Sequence, residues 1–218
     1  MGSNRVSLIS QEIAACRICR DNPRYGAPLA HEPRPVLTLS ATASICICGQ
    51  APGIRAHDAG KPFLDPSGDR LREWLGVTAE AFYDPDLFAI VPMGFCFPGY
   101  DAKGGDRPPR RECAETWHDR IFADRSRFGL VLAIGQYAQA YHLGDRRRGN
   151  LTETVRHWRE YVSDDRTIVP LPHPSWRNNT WLKKNPWFSG EVLPFLRDKV
   201  RTILSGQKLN LEDRAAAE

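Results

Sequence analysis

Four short apolar segments mark the predicted strands of this chain. Each is rich in aliphatic or β-branched residues and is bounded by glycine, proline or polar residues, which is typical of a buried strand. The segments are residues 43–48, 87–91, 130–134 and 167–171. Stretches with helical spacing of apolar residues lie between them. The pattern therefore predicts an α/β layer structure in which strands and helices alternate.

Helical spacing of apolar residues predicts five helices. Pro66 and Ser67 are starting signals for the one over residues 65–75. The others are predicted over residues 7–15, 111–122, 136–142 and 187–204. The proline-rich segment 23–35 is expected to form a surface loop, and the polar tail after residue 205 is expected to fray. Residues 149–165 are weakly patterned and give no assignment.

Length and composition limit the architecture and the cellular setting. A chain of 218 residues with 41% hydrophobic content can bury one sizeable core. Residues 1–218 are therefore expected to form a single domain, with 205–218 as its tail. No signal peptide or transmembrane span is found, and six cysteines are too few for a disulfide scaffold. We expect a reducing, cytoplasmic setting and no membrane partner.

The charge of the chain is compatible with DNA binding but does not establish it. The formal net charge is +4, and most of the 30 basic residues are arginine. Arginine suits bidentate contacts with phosphate. A GC-rich coding bias also raises arginine content, and local basic clusters such as 146–148 are usually solvated faces.

Four of the six cysteines are spaced as ligands of a metal centre. Cys16 and Cys19 form a close pair, and Cys96 and Cys113 bound a later loop. A [4Fe–4S] cluster binds one thiolate at each of its four irons, so it would use all four of these cysteines. A tetrahedral zinc ion could use the same ligands, and four unrelated buried thiols are the simpler alternative. The other two, Cys46 and Cys48, lie in a predicted strand and are assigned to packing.

Two segments follow predicted strands at the edge where open parallel sheets bind their ligands. Residues 49–53 form a glycine-flanked turn after the first strand, and residues 173–178 follow the fourth. Pro174 disfavours helix at His173, so the imidazole can project from a loop. Either segment alone is a weak signal. The two segments at the same predicted sheet edge, together with four spaced cysteines, are a more specific signal of a functional site.

These motifs resemble those of the uracil-DNA glycosylase superfamily, most closely its iron–sulfur, family 4-like branch. Residues 49–53 read Gly-Gln-Ala-Pro-Gly, followed by Gly-Lys-Pro-Phe at 60–63. The family pattern Cys-x-x-Cys, then Cys-x-Pro, Asn/Asp-Arg-x-Pro and Cys, is also present. Its matching residues are Cys16, Cys19, Cys96, Pro98, Asp106, Arg107, Pro109 and Cys113. The second motif, His-Pro-Ser-Trp-Arg-Asn at 173–178, partly resembles the single-strand-selective branch.

The resemblance implies a three-layer α/β/α sandwich with a central four-stranded, mostly parallel sheet. It also implies a [4Fe–4S] cluster held by Cys16, Cys19, Cys96 and Cys113. The implied activity is base excision: the enzyme flips a damaged base out of DNA and hydrolyses its N-glycosidic bond. The expected partner is DNA containing uracil or other damaged bases, bound by a monomer. No lysine lies in either motif to form a Schiff base, so the product should be an abasic site in an uncut strand.

The resemblance also implies roles for individual residues. His173 would donate a hydrogen bond to the departing base, and Phe63 would stack on it. The implied base pocket comprises Gly49, Gln50, Ala51, Phe63, Met93 and Gly94. The implied DNA-binding residues are Pro174, Ser175, Trp176, Arg177 and Asn178. Trp176, Trp181 or Leu182 would fill the space that the flipped base leaves, and the sequence does not distinguish among the three.

The chain departs from the family pattern in three places. Gln50 replaces a glutamate and cannot act as a carboxylate base, so His57 and Asp58 become the nearest candidates for the catalytic group. Residues 90–96 contain no asparagine to read the uracil edge, and Met93 and Gly94 are expected to leave room there. A broader range of bases is therefore expected. The loop 97–112 contains no histidine of the kind through which one relative traps DNA covalently.

Two other interpretations remain open at the level of sequence. Without a carboxylate at position 50, the protein could be a non-catalytic iron–sulfur protein that binds uracil or abasic sites. Alternatively, the four cysteines could form a redox or zinc centre on a glycosylase-like fold with another function.

Overall fold

A four-stranded parallel sheet organises the part of the chain that the computed structural model describes, residues 3–163 and 166–215. The strands are β1 (Ile45–Cys48), β2 (Phe88–Ile90), β3 (Leu130–Ile134) and β4 (Thr167–Leu171), in the order β2-β1-β3-β4. All three strand pairs are parallel. The prediction of a mostly parallel sheet is therefore confirmed, and all four strands fall within the predicted apolar segments.

Helices connect the strands and cover both faces of the sheet. In chain order they are α1 (Ser3–Ala14), α2 (Ile18–Asp21), α3 (Ile54–Ala59), α4 (Pro66–Leu75), α5 (Ala79–Tyr83), α6 (Arg111–Cys113), α7 (Asp119–Ile121), α8 (Gly135–Leu143), α9 (Leu151–Arg156), α10 (Asn179–Lys184) and α11 (Leu193–Ala215). A π turn, Ala114–His118, joins α6 to α7 within the predicted helix 111–122. A second π turn, Phe188–Val192, precedes α11.

Two details correct the sequence analysis. The weakly patterned segment 149–165 contains α9 and the 3-10 turn Trp158–Tyr161, and residues 164–165 lie outside the described part. The tail does not fray at residue 205, because α11 continues to Ala215. Residues 205–215 contain no proline and several strong helix formers. The side chain of Gln207 also fastens this helix, donating a hydrogen bond of 2.8 Å to the carbonyl of Thr42.

The sheet separates two apolar layers, which gives the expected three-layer arrangement. Along β1, Ile45 and Ile47 pack on one face with apolar residues of α4 and α11. Cys46 and Cys48 point to the other face, where α1 and α8 cover them. Both cysteines are fully buried, and their sulfur atoms lie 3.5 Å apart. Their assignment to packing agrees with these positions.

No helix in the described part of the chain is long and apolar enough to cross a membrane.

Candidate active site

The turn after β1 is tied by hydrogen bonds to the segments that follow β2. The carbonyl oxygens of Gly49 and Gln50 accept hydrogen bonds from the N–H groups of Met93 and Gly94, at 2.8 and 2.9 Å. The side-chain amide of Gln50 donates a hydrogen bond of 3.0 Å to the carbonyl of Arg107. The turn is therefore held both by the strand end beside it and by the loop between Cys96 and Cys113.

Phe63 has a backbone conformation that aims its ring at this turn. It is the non-glycine residue of positive φ in the described chain, with φ of 54°. A Cβ atom on Gly49 would lie 3.6 Å from the end of the ring, so the aromatic side chain borders the turn directly. The hydroxyl of Tyr83 donates a hydrogen bond of 3.0 Å to the Phe63 carbonyl. Strained backbone that its surroundings hold in this way is common at functional sites.

A cavity of about 100 Å³ lies between Phe63, the turn and His173. Its wall combines apolar groups with five polar side chains. The lining residues are Val36, Gly49, Gln50, Ala51, Pro52, Gly53, Ala56, Pro62, Phe63, Asp65, Ser67, Ile90, Pro92, Asp106 and His173. Apolar walls with a few placed polar side chains are typical of sites that bind small organic molecules.

The cavity continues into a cleft of about 690 Å³. Six residues border both spaces: Gln50, Ala51, Asp65, Ser67, Asp106 and His173. The cleft is bordered further by Ser175, Trp176, Arg177 and Asn178 of the second motif and by the start of α8. A deep cavity therefore opens onto a wider surface that carries most of the predicted DNA-binding residues.

Hydrogen bonds set the position and the tautomer of His173, and burial sets its charge. The N–H of Ser175 donates to its Nδ1 at 3.2 Å, and the side-chain amide of Asn178 donates to its carbonyl oxygen at 2.7 Å. Burial lowers the pKa of the imidazole, so the ring is neutral at neutral pH. Because Nδ1 accepts a hydrogen bond, the proton of the neutral ring is on Nε2. His173 is therefore a hydrogen-bond donor at the cavity.

The geometry does not support His57 and Asp58 as catalytic candidates, because neither borders the cavity or the cleft. Both lie on α3, whose helical rotation turns them away from the motif. The His57 ring instead packs edge-on against His31, with 4.8 Å between ring centroids, and Asp58 is exposed. Sequence distance from the motif was a poor guide here, because residues 54–59 form a helix rather than an extended loop.

Met93 and Gly94 were predicted to line the pocket, and they do not. Their N–H groups are bonded to the motif turn, as described above. A Cβ atom on Gly94 would lie 3.1 Å from Cβ of Pro109, so position 94 is closely packed rather than open. The prediction that Met93 and Gly94 leave room in the pocket is therefore wrong, and Ile90 and Pro92 form this part of the cavity wall.

Two carboxylates that were not proposed as catalytic residues border both the cavity and the cleft. Asp65 caps the N-terminus of α4, and Asp106 lies in the loop between Cys96 and Cys113. Partial burial raises the pKa of the Asp106 carboxyl, against the opposing effect of Arg177. From the sequence, Asp65 is recognisable only as part of a helix start and Asp106 only as a motif match. Neither use indicates that the two residues meet at one cavity.

The second motif presents one large aromatic side chain to solvent. Trp176 is 72% exposed at the cleft, whereas Pro174 is buried and borders neither space. Trp181 packs on the core and donates a hydrogen bond of 2.7 Å to Thr152, and Leu182 also packs there. Of the three candidates for the intercalating residue, Trp176 is the one whose side chain lies on the open surface.

Three of the four predicted cluster ligands, Cys19, Cys96 and Cys113, interact with one another, and Cys16 interacts with Cys96. The thiols of Cys19 and Cys113 are hydrogen-bonded to each other, which together with Arg110 lowers the pKa of Cys19 to about 7. Burial raises the pKa of Cys96 to about 12, and the nearby thiols of Cys19 and Cys16 contribute to this rise. In residues 3–163 and 166–215, however, no three His, Cys, Asp or Glu side chains are arranged to hold a single metal ion.

A family model places this chain among known proteins. The model of the uracil DNA glycosylase superfamily matches residues 38–197. The match includes the sheet, the turn after β1, Phe63 and the His173 segment. Cys16 and Cys19 precede the matched region.

Proposed function

The chain belongs to the uracil-DNA glycosylase superfamily, and we propose that it removes uracil and related damaged bases from DNA and leaves an abasic site. The observation that carries this proposal is His173, which is held by Ser175 and Asn178 as a neutral donor at the end of a small cavity. Superfamily membership implies DNA as the substrate. The damaged base and the outcome of the reaction are our inference from the site.

The residues of the cavity suit the successive demands of the reaction. Flipping a base out of the stack costs a few kcal/mol, which stacking and edge hydrogen bonds in the pocket must offset. Phe63 supplies a stacking surface. As the bond between C1′ and the base nitrogen breaks, its electron pair moves onto the base. His173 then donates a hydrogen bond to the developing negative charge on the base oxygen, an interaction stronger in the transition state than in the ground state.

The range of bases is proposed to extend beyond uracil. Residues 90–96 contain no asparagine, and the wall they contribute is formed by Ile90 and Pro92, which offer no side-chain hydrogen bond to a base edge. A site without such a partner discriminates less sharply among bases that differ in exocyclic groups. We therefore expect excision of 5-substituted uracils or of deaminated purines such as xanthine and hypoxanthine.

Cys16, Cys19, Cys96 and Cys113 are proposed to hold a [4Fe–4S] cluster. The donor set fits, because Cys19, Cys96 and Cys113 interact with one another and Cys16 interacts with Cys96. A cube that takes one thiolate at each iron also spreads its ligands more widely than a single tetrahedral ion does. The cluster would act as a structural clip between the N-terminal segment and the loop that carries Asp106. Arg110 supports the same junction by donating to the carbonyls of Ala27 and Cys19, at 3.0 and 3.3 Å.

A panel of oligonucleotides with one lesion each tests the proposed function. Alkali treatment should reveal strand cleavage at uracil and at some other deaminated bases, and no cleavage should appear without alkali. His173→Ala should lower the single-turnover rate by roughly 10²–10³-fold, the range for loss of one oxyanion donor. Its binding to abasic DNA should change little. His157→Ala is a matched control, because His157 lies outside both the cavity and the cleft.

Two results would contradict the proposal. A wild-type protein that binds damaged DNA but excises no base would be a non-catalytic sensor instead. Normal excision by His173→Ala would remove the role assigned to the imidazole.

A further inference from the structure

We propose that Asp65 is the catalytic carboxylate of this protein, and that it stabilises the positively charged sugar and takes the proton of the attacking water. The inference rests on the proposed function and assigns the group that the Gln50 motif lacks. It concerns a residue that lies fifteen positions after Gln50 in sequence but borders the same cavity.

The first support is location. Asp65 is one of the six residues that border both the cavity and the cleft, together with Gln50 and His173. This boundary is where the sugar of a flipped nucleotide would lie, because the base enters the cavity while the DNA backbone stays in the cleft. A carboxylate there is close to C1′, the atom that becomes positively charged.

The second support is orientation. Asp65 Oδ1 accepts hydrogen bonds from the N–H groups of Ser67 and Gly68, at 3.0 and 3.2 Å, and from the Ser67 hydroxyl at 2.5 Å. In the described part of the chain, no hydrogen bond to this side chain uses Oδ2. One oxygen is thus fixed at the start of α4, and the other is available to a water molecule. A group held this way needs little reorganisation during the reaction.

The third support is the electrostatic relation to His173. The negative charge of Asp65 is the group that raises the pKa of His173 against the effect of burial. The two residues also border the same cavity and the same cleft. They also supply complementary functions: an anion beside the sugar, where positive charge develops, and a donor beside the base, where negative charge develops.

The reaction then balances without another reactant. The bond between C1′ and the base nitrogen breaks, and its electron pair leaves with the base. The water oxygen forms a bond to C1′, and the water proton passes to Asp65 and then to solvent. His173 keeps its proton throughout, and the departing base takes its proton from solvent.

Asp106 is the competing carboxylate. It borders the same two spaces, and partial burial raises the pKa of its carboxyl. In the described part of the chain its side chain accepts no hydrogen bond, whereas three donors fix Oδ1 of Asp65. Asp65 is therefore the more firmly oriented of the two carboxylates at the boundary of the cavity.

The test compares Asp65→Asn with Asp106→Asn and with Asp58→Asn as the control outside the site. Asparagine caps a helix about as well as aspartate, so Asp65→Asn should keep the fold, which its melting temperature checks. Asp65→Ser, with another good cap, serves as a second variant. Single-turnover excision should fall by roughly 10²–10³-fold in both Asp65 variants and stay unchanged in Asp58→Asn.

A binding measurement separates catalysis from structural damage. An oligonucleotide with a cationic pyrrolidine in place of the sugar mimics the charged intermediate, and a neutral tetrahydrofuran is its matched control. Wild-type protein should prefer the pyrrolidine by at least about tenfold, and Asp65→Asn should lose that preference while still binding the tetrahydrofuran.

The outcomes are distinct for the two levels of inference. Wild-type protein that excises none of the lesions would overturn the proposed function itself. An active wild type with unimpaired Asp65 variants would overturn the role of Asp65 alone. A loss of rate and of pyrrolidine preference in Asp106→Asn, but not in Asp65→Asn, would assign the role to Asp106 instead.

Discussion

Gly68→Ala should damage both the stability and the base pocket of this protein. A Cβ atom at position 68 would lie 1.9 Å from the carbonyl oxygen of Phe63 and 2.8 Å from its carbonyl carbon. Both atoms belong to backbone, so no rotamer change can relieve the contact. The segment containing Phe63, already at φ of 54°, would have to move away from α4.

The size of the effect follows from two opposing contributions. Alanine stabilises a helix interior by about 1 kcal/mol relative to glycine, which is an upper bound for Gly68 in the first turn of α4. Overpacking typically costs about 1–3 kcal/mol, and a contact with backbone belongs at the upper end of that range. The net expectation is a destabilisation of about 2 kcal/mol, which corresponds to a fall in melting temperature of about 4–8 °C for a domain of this size.

Gly206→Ala is the matched control. Gly206 lies within α11, and a Cβ atom there would meet no heavy atom within 4 Å. Only the helix-propensity gain applies, so this variant should melt at or above the wild-type temperature. Thermal melts of both variants, followed by single-turnover excision, are the measurements. Equal stability of the two variants would refute the claim that close approach of Phe63 requires glycine at position 68.

Three further predictions concern other parts of the molecule. Trp176→Ala should weaken binding to damaged duplex DNA with little change in melting temperature. Trp181→Ala removes a core contact and should lower the melting temperature. The opposite pattern would exclude Trp176 as the intercalating residue. Cys113→Ser should lower the iron content and the broad visible absorption of the purified protein, and Cys48→Ala should not; wild-type protein purified with zinc would contradict the cluster. Burial lowers the pKa of His118 to about 4. In the unfolded chain its pKa is about 6.5, so the unfolded chain binds a proton at higher pH than the folded protein does. The free energy of unfolding should therefore fall by roughly 3 kcal/mol as pH drops from about 6.5 towards 4. His118→Phe should flatten that part of the stability profile measured by denaturant titration.

The sequence predicted the sheet well because its strands are nearly continuous apolar runs between turn-forming residues. Each strand is buried on both faces, as parallel strands between two helical layers must be, so the signal did not depend on alternation. The extension of α11 was missed for the opposite reason. Its last residues are polar, and their helical state depends on propensity and on a hydrogen bond from Gln207 to a distant loop.

The site was predicted less completely than the fold. His173, Phe63 and the turn after β1 could be proposed from the sequence because their motifs are local, and the structure places them around one cavity. Asp65 could not be proposed in this way, because helix capping already explains an aspartate at this position and gives no sign of a role at the cavity. Met93 and Gly94 were assigned wrongly because sequence proximity to a strand end does not reveal that their N–H groups are occupied by the motif turn.

Gln50 affects both the structure and the chemistry of the cavity. Its side-chain amide donates a hydrogen bond to the carbonyl of Arg107, a bond that an ionised glutamate could not make because it has no donor. Glutamine at this position therefore ties the loop between Cys96 and Cys113 to the turn after β1, next to Asp106, which borders the cavity. The same substitution removes a carboxylate from the motif, and Asp65 supplies one at the boundary of the same cavity. The replacement of glutamate by glutamine is thus compatible with catalysis, because the structural and the chemical requirements are met by different residues.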